Sequence, residues 1–216
     1  MTWINLSDSN NLLHQFVSEL RDVNIQTDRM RFRKNIERIG QIMAYEVSKH
    51  LNWIEIEITT PLGKHNSKRL AEQPVLATIL RAGLSMHNGL LDFFDKADCA
   101  FISAYRNHTD NHNFEIKVEY KACPSIEQRD LIIIDPMLAT GQSIVSAYHA
   151  LLKNGIPKNI HILGLIASKQ GIKFVQENIK SNFTLWTAAV DEALNEYSYI
   201  VPGLGDAGDL CFGEKL

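Results

Sequence analysis

The chain has 216 residues, 45% apolar and 22% charged, with a formal net charge of -3; that is enough chain for one domain with a sizeable core. The slightly acidic balance excludes a general electrostatic pull toward nucleic acid or anionic membrane, so an anionic substrate must be met by locally placed cations. Cys99, Cys123 and Cys211 are odd in number and scattered, which excludes a disulfide framework and fits reduced thiols.

The N-terminal Met-Thr-Trp-Ile-Asn-Leu lacks the basic and long apolar regions of a signal peptide. The longest apolar run, residues 160–167, is interrupted by His161 and Gly164 and is too short to span a membrane. A cytoplasmic location with no membrane partner is the expectation.

Leu12, Leu13, Phe16, Val17 and Leu20 form a stripe that predicts a short first helix. Thr27 is the expected N-cap of a long second helix with Phe32, Ile36, Ile39, Met43, Val47 and Leu51 on its inner face. Arg29, Arg31, Arg33 and Lys34 crowd its first turns, against the helix dipole, and read as a solvated basic face. Ile54, Ile56 and Ile58 alternate with Glu55 and Glu57, which predicts a strand buried on one face. Residues 59–63 then turn the chain into a polar stretch. Residues 75–80 read as a central strand, which Arg81-Ala82-Gly83 joins to a helix carrying Leu84, Met86, Leu90, Leu91 and Phe94. Residues 99–105 predict a strand ending at Arg106, followed by an exposed polar loop at 107–113. Phe114, Ile116, Val118 and Tyr120 alternate as the next strand.

Leu131, Ile132, Ile133 and Ile134 are consecutive apolar residues, as in a strand buried on both faces. The helix after them has Ile144, Ala147, Tyr148 and Leu151 on one face and is closed by Gly155. Residues 160–167 predict another buried strand, Ile172, Phe174 and Val175 a short helix, and residues 183–190 the last long strand. The tail at 199–209, with Gly203, Gly205 and Gly208, reads as a loop shaped by its backbone.

Strands alternating with helices from residue 75 onward predict an α/β fold with a mainly parallel central sheet flanked by helices, in a single domain over residues 1–216. Ligands of such sheets sit beyond the carboxyl ends of the strands. Arg81, Arg106 and the loop Asp135-Pro136-Met137-Leu138-Ala139-Thr140-Gly141-Gln142-Ser143 all fall there. In that loop an acid ends a strand, and a small-residue turn leads to a helix N-terminus, where unpaired N–H groups and the positive end of the dipole favour an anion. It is not the triphosphatase loop, because no Gly-Lys-Ser/Thr follows the glycine. The acid suits ribose hydroxyls and the turn suits one phosphate, which points to a sugar phosphate. An ordinary strand–helix turn with Ser143 as N-cap is the plainer alternative. His108 and His112 are four apart but lie in a loop with Asp110, and no zinc site is expected there.

The 135–143 loop resembles the phosphoribosyl-pyrophosphate (PRPP) loop of type I phosphoribosyltransferases, and its Asp-Pro followed by Met-Leu-Ala-Thr-Gly is similar to the uracil phosphoribosyltransferase branch. Ile79-Leu80-Arg81-Ala82-Gly83-Leu84 resembles that family's pyrophosphate turn, Tyr105-Arg106 the pair before its flexible loop, and Thr59-Thr60-Pro61-Leu62-Gly63 the end of its β-arm. Leu20-Arg21-Asp22 and residues 27–33 resemble its N-terminal helices. The most specific match is Tyr199-Ile200-Val201-Pro202-Gly203-Leu204-Gly205-Asp206-Ala207-Gly208-Asp209, which is similar throughout to the family's base-binding hood.

The resemblance implies a transferase that makes UMP and diphosphate from uracil and PRPP. Arg81 and Arg106 would hold the pyrophosphate, and Asp135 through Ser143 the ribose and 5-phosphate. Ile200, Gly205 and Ala207 would contact uracil through backbone groups, and Asp206 would serve PRPP and the Mg²⁺ it carries. The β-arm implies a homodimer or higher homo-oligomer. Three stretches depart from the family pattern: Gln142 in place of a second glycine, the 107–113 loop, and Ser168-Lys169-Gln170-Gly171. Two alternatives stay open: a regulator that senses uracil nucleotides and binds RNA with this fold, and a catalytically degenerate homologue.

Overall fold

The computed structural model describes residues 1–108 and 114–215, with side chains described outside 104–118. The Arg106 side chain and most of the 107–113 loop therefore lie outside the described residues. Strand β1 (Thr2–Asn5) precedes helices α1 (Leu12–Arg21) and α2 (Arg29–Ser48). A hairpin follows, β2 (Trp53–Thr60) and β3 (Gly63–Leu70), and then β4 (Val75–Leu80), α3 (Gly83–Leu91), β5 (Asp98–His108) and β6 (Phe114–Ala122). The second half runs β7 (Asp130–Ile134), β8 (Met137–Leu138), α4 (Gln142–Leu151), β9 (Asn159–Ser168), α5 (Lys169–Asn178) and β10 (Thr184–Asp191). A small pair, β11 (Ala193–Leu194) and β12 (Ile200–Val201), and helix α6 (Ala207–Phe212) complete it.

The main sheet has the order β1-β10-β9-β7-β4-β5-β6, and β8 pairs with β9. All of its pairings are parallel except β5–β6. The four-residue apolar run of β7 is explained by two cores, one on each face. Ile132 and Ile134 join Leu76, Leu163, Met43 and Leu90 beneath α1–α3, whereas Leu131 and Ile133 join Val75, Ile162, Tyr148 and Val175 beneath α4 and α5. Successive strand residues point to opposite faces, so a strand covered on both must be apolar at every position.

Several expectations need correction. Asp28, not Thr27, caps α2, its carboxylate accepting from the N–H groups of Met30 and Arg31; either residue type can do this, and the neighbouring carboxylate wins. The basic first turns of α2 are not simply solvated: Arg31 pairs with Glu19 in two contacts of 3.0 and 2.8 Å, and Arg33 donates to the Cys211 carbonyl at 2.7 Å. Ile54 and Ile58 are 41% and 39% exposed, so the alternating face of β2 is not buried within this chain. The polar stretch after it is the second strand of an arm, paired from Trp53 with Leu70 to Thr60 with Gly63. Edge strand β1 and helix α6, both without a long periodic pattern, were not expected. Among the described residues no helix is long and apolar enough to cross a membrane.

Candidate active site

The carboxyl ends of β4 and β7 open into a cavity of about 730 Å³, roofed by the C-terminal segment. Pockets that hold small-molecule ligands fall near 300–1,000 Å³. Arg81 follows β4 directly, through a cis Leu80–Arg81 peptide, and Asp135 follows β7. The two ends are adjacent because β4 and β7 pair in parallel register, Thr78 beside Ile134.

Asp135 is 9% exposed, and its Oδ1 accepts from the Met137 N–H at 3.1 Å. Burial pushes its carboxyl up to about 7, against a partial opposing effect of that hydrogen bond. A carboxyl balanced near neutrality is readily drawn to the charged form by hydroxyl donors. The turn then reaches Gly141, which caps α4 at a φ of +80° and has no side chain to offer the first turn. A Cβ on Gly141 would lie 2.9 Å from both the Gly171 carbonyl oxygen and Val175 Cγ2, so this position needs glycine for its dihedral and its space. Apart from a long 3.4 Å contact from the Gln142 N–H to Thr140 Oγ1, the first-turn donors have no side-chain cap among the described bonds. They sit at the positive end of a ten-residue helix, where unpaired N–H groups favour an anion.

The roof is built around α6. Asp206 caps that helix, its Oδ1 accepting from the Asp209 N–H at 3.0 Å, while Oδ2 lies 3.5 Å from Lys215 Nζ. Ile200 and Ala207 line the cavity yet are only 4% and 2% exposed, being packed in the core beneath α1–α3. Their side chains anchor the segment, which leaves its backbone as the surface nearest a ligand.

The family model described as uracil phosphoribosyltransferase matches residues 7–214. This chain belongs to that family. A uracil phosphoribosyltransferase of Porphyromonas gingivalis is 53% identical over 216 residues, covering 100% of both chains. The structure of the AQ2163 protein from Aquifex aeolicus superposes with a TM-score of 0.87 at 31% identity, covering 98% of each chain. A hypoxanthine phosphoribosyltransferase from Staphylococcus aureus, at a TM-score of 0.52 and 15% identity over 87% of this chain and 84% of its own, shares the fold alone. The fold is thus that of the type I phosphoribosyltransferases. The RNA-binding and degenerate-homologue alternatives find no support in these relatives.

Of the residues singled out from sequence, Arg81, Asp135, Met137, Ala139, Ser143, Ile200, Gly205, Asp206 and Ala207 line this one cavity of the uracil phosphoribosyltransferase fold. Pro136, Leu138, Thr140, Gly141 and Gln142 do not; Leu138, 1% exposed, points into the core. Ser143 lies inside α4 and is not its N-cap. Sequence reasoning missed several contributors, Ser103 and Glu119 of the cavity lining among them. Lys215 reaches the cavity from the segment after α6. Asp209, read as a turn former, instead holds Arg81 at 2.6 Å, while Arg81 also donates to the Gly213 carbonyl at 3.2 Å. Ser168, in a stretch that departs from the family pattern, caps α5 through the Gly171 N–H and donates to the Ala139 carbonyl at 2.6 Å, tying the 135–143 turn to the next helix. Its small hydroxyl side chain was the available signal for a cap.

Proposed function

We propose that this chain, as one domain spanning residues 1–216, transfers the phosphoribosyl group of PRPP to uracil, forming UMP and diphosphate. The observation that carries the reading is the convergence on one cavity of Arg81, Asp135, Ser143 in the first turn of α4, and Ile200, Gly205, Asp206 and Ala207. In the reaction uracil N1 bonds to C1 of the ribose, the C1–O bond to diphosphate breaks, and the N1 proton is lost. The turn at 135–143 holds the 5-phosphate through backbone N–H groups, and Asp135 accepts from the ribose hydroxyls. Arg81 faces the diphosphate, where negative charge grows as the C1–O bond breaks, and the family resemblance gives Arg106 the same role. Oxocarbenium character at C1 would be stabilised by the Asp135 carboxylate and by exclusion of water.

Ile200, Gly205 and Ala207 read uracil through backbone N–H and C=O groups, which match its two carbonyl acceptors and its N–H donor. Among the described residues no group of three or more His, Cys, Asp or Glu side chains could hold a metal ion. The Asp206 carboxylate, one of the acids that line the cavity, would serve Mg²⁺ carried by PRPP, an ion that keeps waters and substrate phosphates as its other ligands. Bound there, Mg²⁺ would spread the negative charge of the leaving diphosphate. The exposed arm supports a homodimer or larger homo-oligomer, and the absence of a long apolar helix among the described residues fits a cytoplasmic enzyme, which recovery in a membrane fraction would contradict.

The test is product formation with PRPP, Mg²⁺ and uracil, followed as diphosphate release and UMP. The wild type should turn over, and Arg81→Ala should lose on the order of a hundredfold in kcat/KM for PRPP, because a contact that strengthens in the transition state is removed. Arg81→Lys should recover only part of this, since the planar fork is absent. A wild type that binds uracil and PRPP without forming UMP would refute the reading.

A further inference from the structure

The segment that roofs the cavity is held from behind by a pair of residues that do not line it. Asp191 ends β10, and Arg21 is the last residue of α1. They form a two-pronged ion pair, Arg21 Nη1 to Asp191 Oδ2 and Nη2 to Oδ1, both at 2.8 Å. The same groups grip the backbone of Gly203 on both sides. Its N–H donates to Asp191 Oδ2 at 2.9 Å, and its carbonyl accepts from Arg21 Nη1 at 2.8 Å. Gln26 adds a longer tether, its Nε2 donating to the Leu204 carbonyl at 3.3 Å. The side chains of Arg21 and Asp191 are 24% and 8% exposed, so water competes little for these bonds. Gly203 sits at a φ of +56°, where a Cβ would lie 2.1 Å from the Ile200 carbonyl oxygen. The grip is therefore on the tightest point of the turn, between Ile200 and Gly205, which both face the cavity.

A site that reads a base through its backbone has no side-chain rotamers with which to correct its shape. Its donors and acceptors are only as well placed as the turn itself, and small displacements of reacting groups are costly. We propose that Arg21 and Asp191 are positioning residues that set the geometry of the base-reading turn, coupling the N-terminal helix to recognition of the pyrimidine. This rests on the reading of residues 200–207 as the uracil site. The ion pair faces the turn and not the phosphate loop, so its loss should act on the base and leave PRPP binding nearly intact.

The experiment is steady-state kinetics with both substrates varied, for the wild type, Asp191→Asn, Arg21→Lys and Arg21→Ala, with circular dichroism to confirm folding. Glu19→Gln serves as control: it weakens a comparable Arg31 pair between α1 and α2 that does not touch the turn. Asp191→Asn and Arg21→Ala should raise KM for uracil by about tenfold or more and narrow the discrimination against cytosine, with KM for PRPP and kcat within about threefold. Arg21→Lys should restore part of the loss, and Glu19→Gln should leave KM for uracil unchanged. Asparagine is nearly isosteric with aspartate, so Asp191→Asn decides the matter even where Arg21→Ala fails to fold. Unaltered KM for uracil in folded Asp191→Asn, an equal rise for both substrates, or an Asp191→Asn that does not fold would each overturn the proposal. A wild type that forms no UMP would instead refute the functional reading on which it rests.

Discussion

At the scale of single residues, Asp135 carries a consequence that needs no substrate. Its carboxyl is pushed up to about 7 by burial, whereas in the unfolded chain it titrates near 3.8. Between those values the folded state holds a proton that the unfolded state has released. The contribution of Asp135 to stability is therefore greatest below about pH 4, falls as the pH rises, and is fully lost above about pH 7. Asparagine can still accept from the Met137 N–H and does not titrate. Asp135→Asn should thus be more stable than the wild type at pH 8, by on the order of 2–4 kcal/mol, with the gap shrinking toward pH 5. Urea unfolding of both proteins at the two pH values measures this, and an equal gap at both would show that the carboxyl is not desolvated as described. The same residue illustrates what sequence can reveal. An acid after four consecutive apolar residues was legible as a group at a strand end, and Asp135 does line the cavity there. Asp209 was not, because its role depends on Arg81 arriving from a distant strand, and nothing local distinguishes it from a turn former.

At the scale of elements, the long apolar runs of β4, β7, β9 and β10 were legible because burial on both faces leaves a continuous signature. Helix α6 was not: its sequence, AGDLCF, has too few residues for a period, and glycine disfavours helix. It forms because Asp206 caps it and Ala207 and Cys211 are buried beneath it. The arm was half legible, as its alternating isoleucines identify a strand but cannot say what covers them. The 135–143 turn offers a paired test of what holds such an element in shape. Gly141 has a positive φ and no room for a Cβ, whereas Gln142 is half-buried and does not line the cavity. Gly141→Ala should cost about 2 kcal/mol or more in stability, from the left-handed dihedral and the contact with Gly171. It should also lower kcat/KM for PRPP by more than about tenfold. Gln142→Gly should change kcat/KM by less than about tenfold, under ~1.4 kcal/mol. Thermal unfolding and initial rates check both, and a tolerated Gly141→Ala together with an improved Gln142→Gly would reverse the assignment.

At the scale of the whole molecule, the chain leaves an arm exposed and encloses a cavity. Trp53, Ile54 and Ile58 are 48%, 41% and 39% exposed and Leu62 is fully so, an apolar surface of the kind that a second copy covers. Ile54→Glu combined with Ile58→Glu should shift the protein toward monomer in sedimentation velocity, and an unchanged oligomer would place the interface elsewhere. The central claim concerns the cavity: that its roof at residues 200–207 selects uracil through backbone groups. Cytosine reverses the donor and acceptor pattern at the recognition edge and would leave buried groups unpaired. The most direct measurement is kcat/KM with PRPP and Mg²⁺ for uracil, cytosine and hypoxanthine, assayed side by side on the wild-type protein. Uracil should be preferred over cytosine by roughly 10³-fold or more, with hypoxanthine turned over less well still. Comparable use of cytosine, or a preference for the purine, would contradict the account.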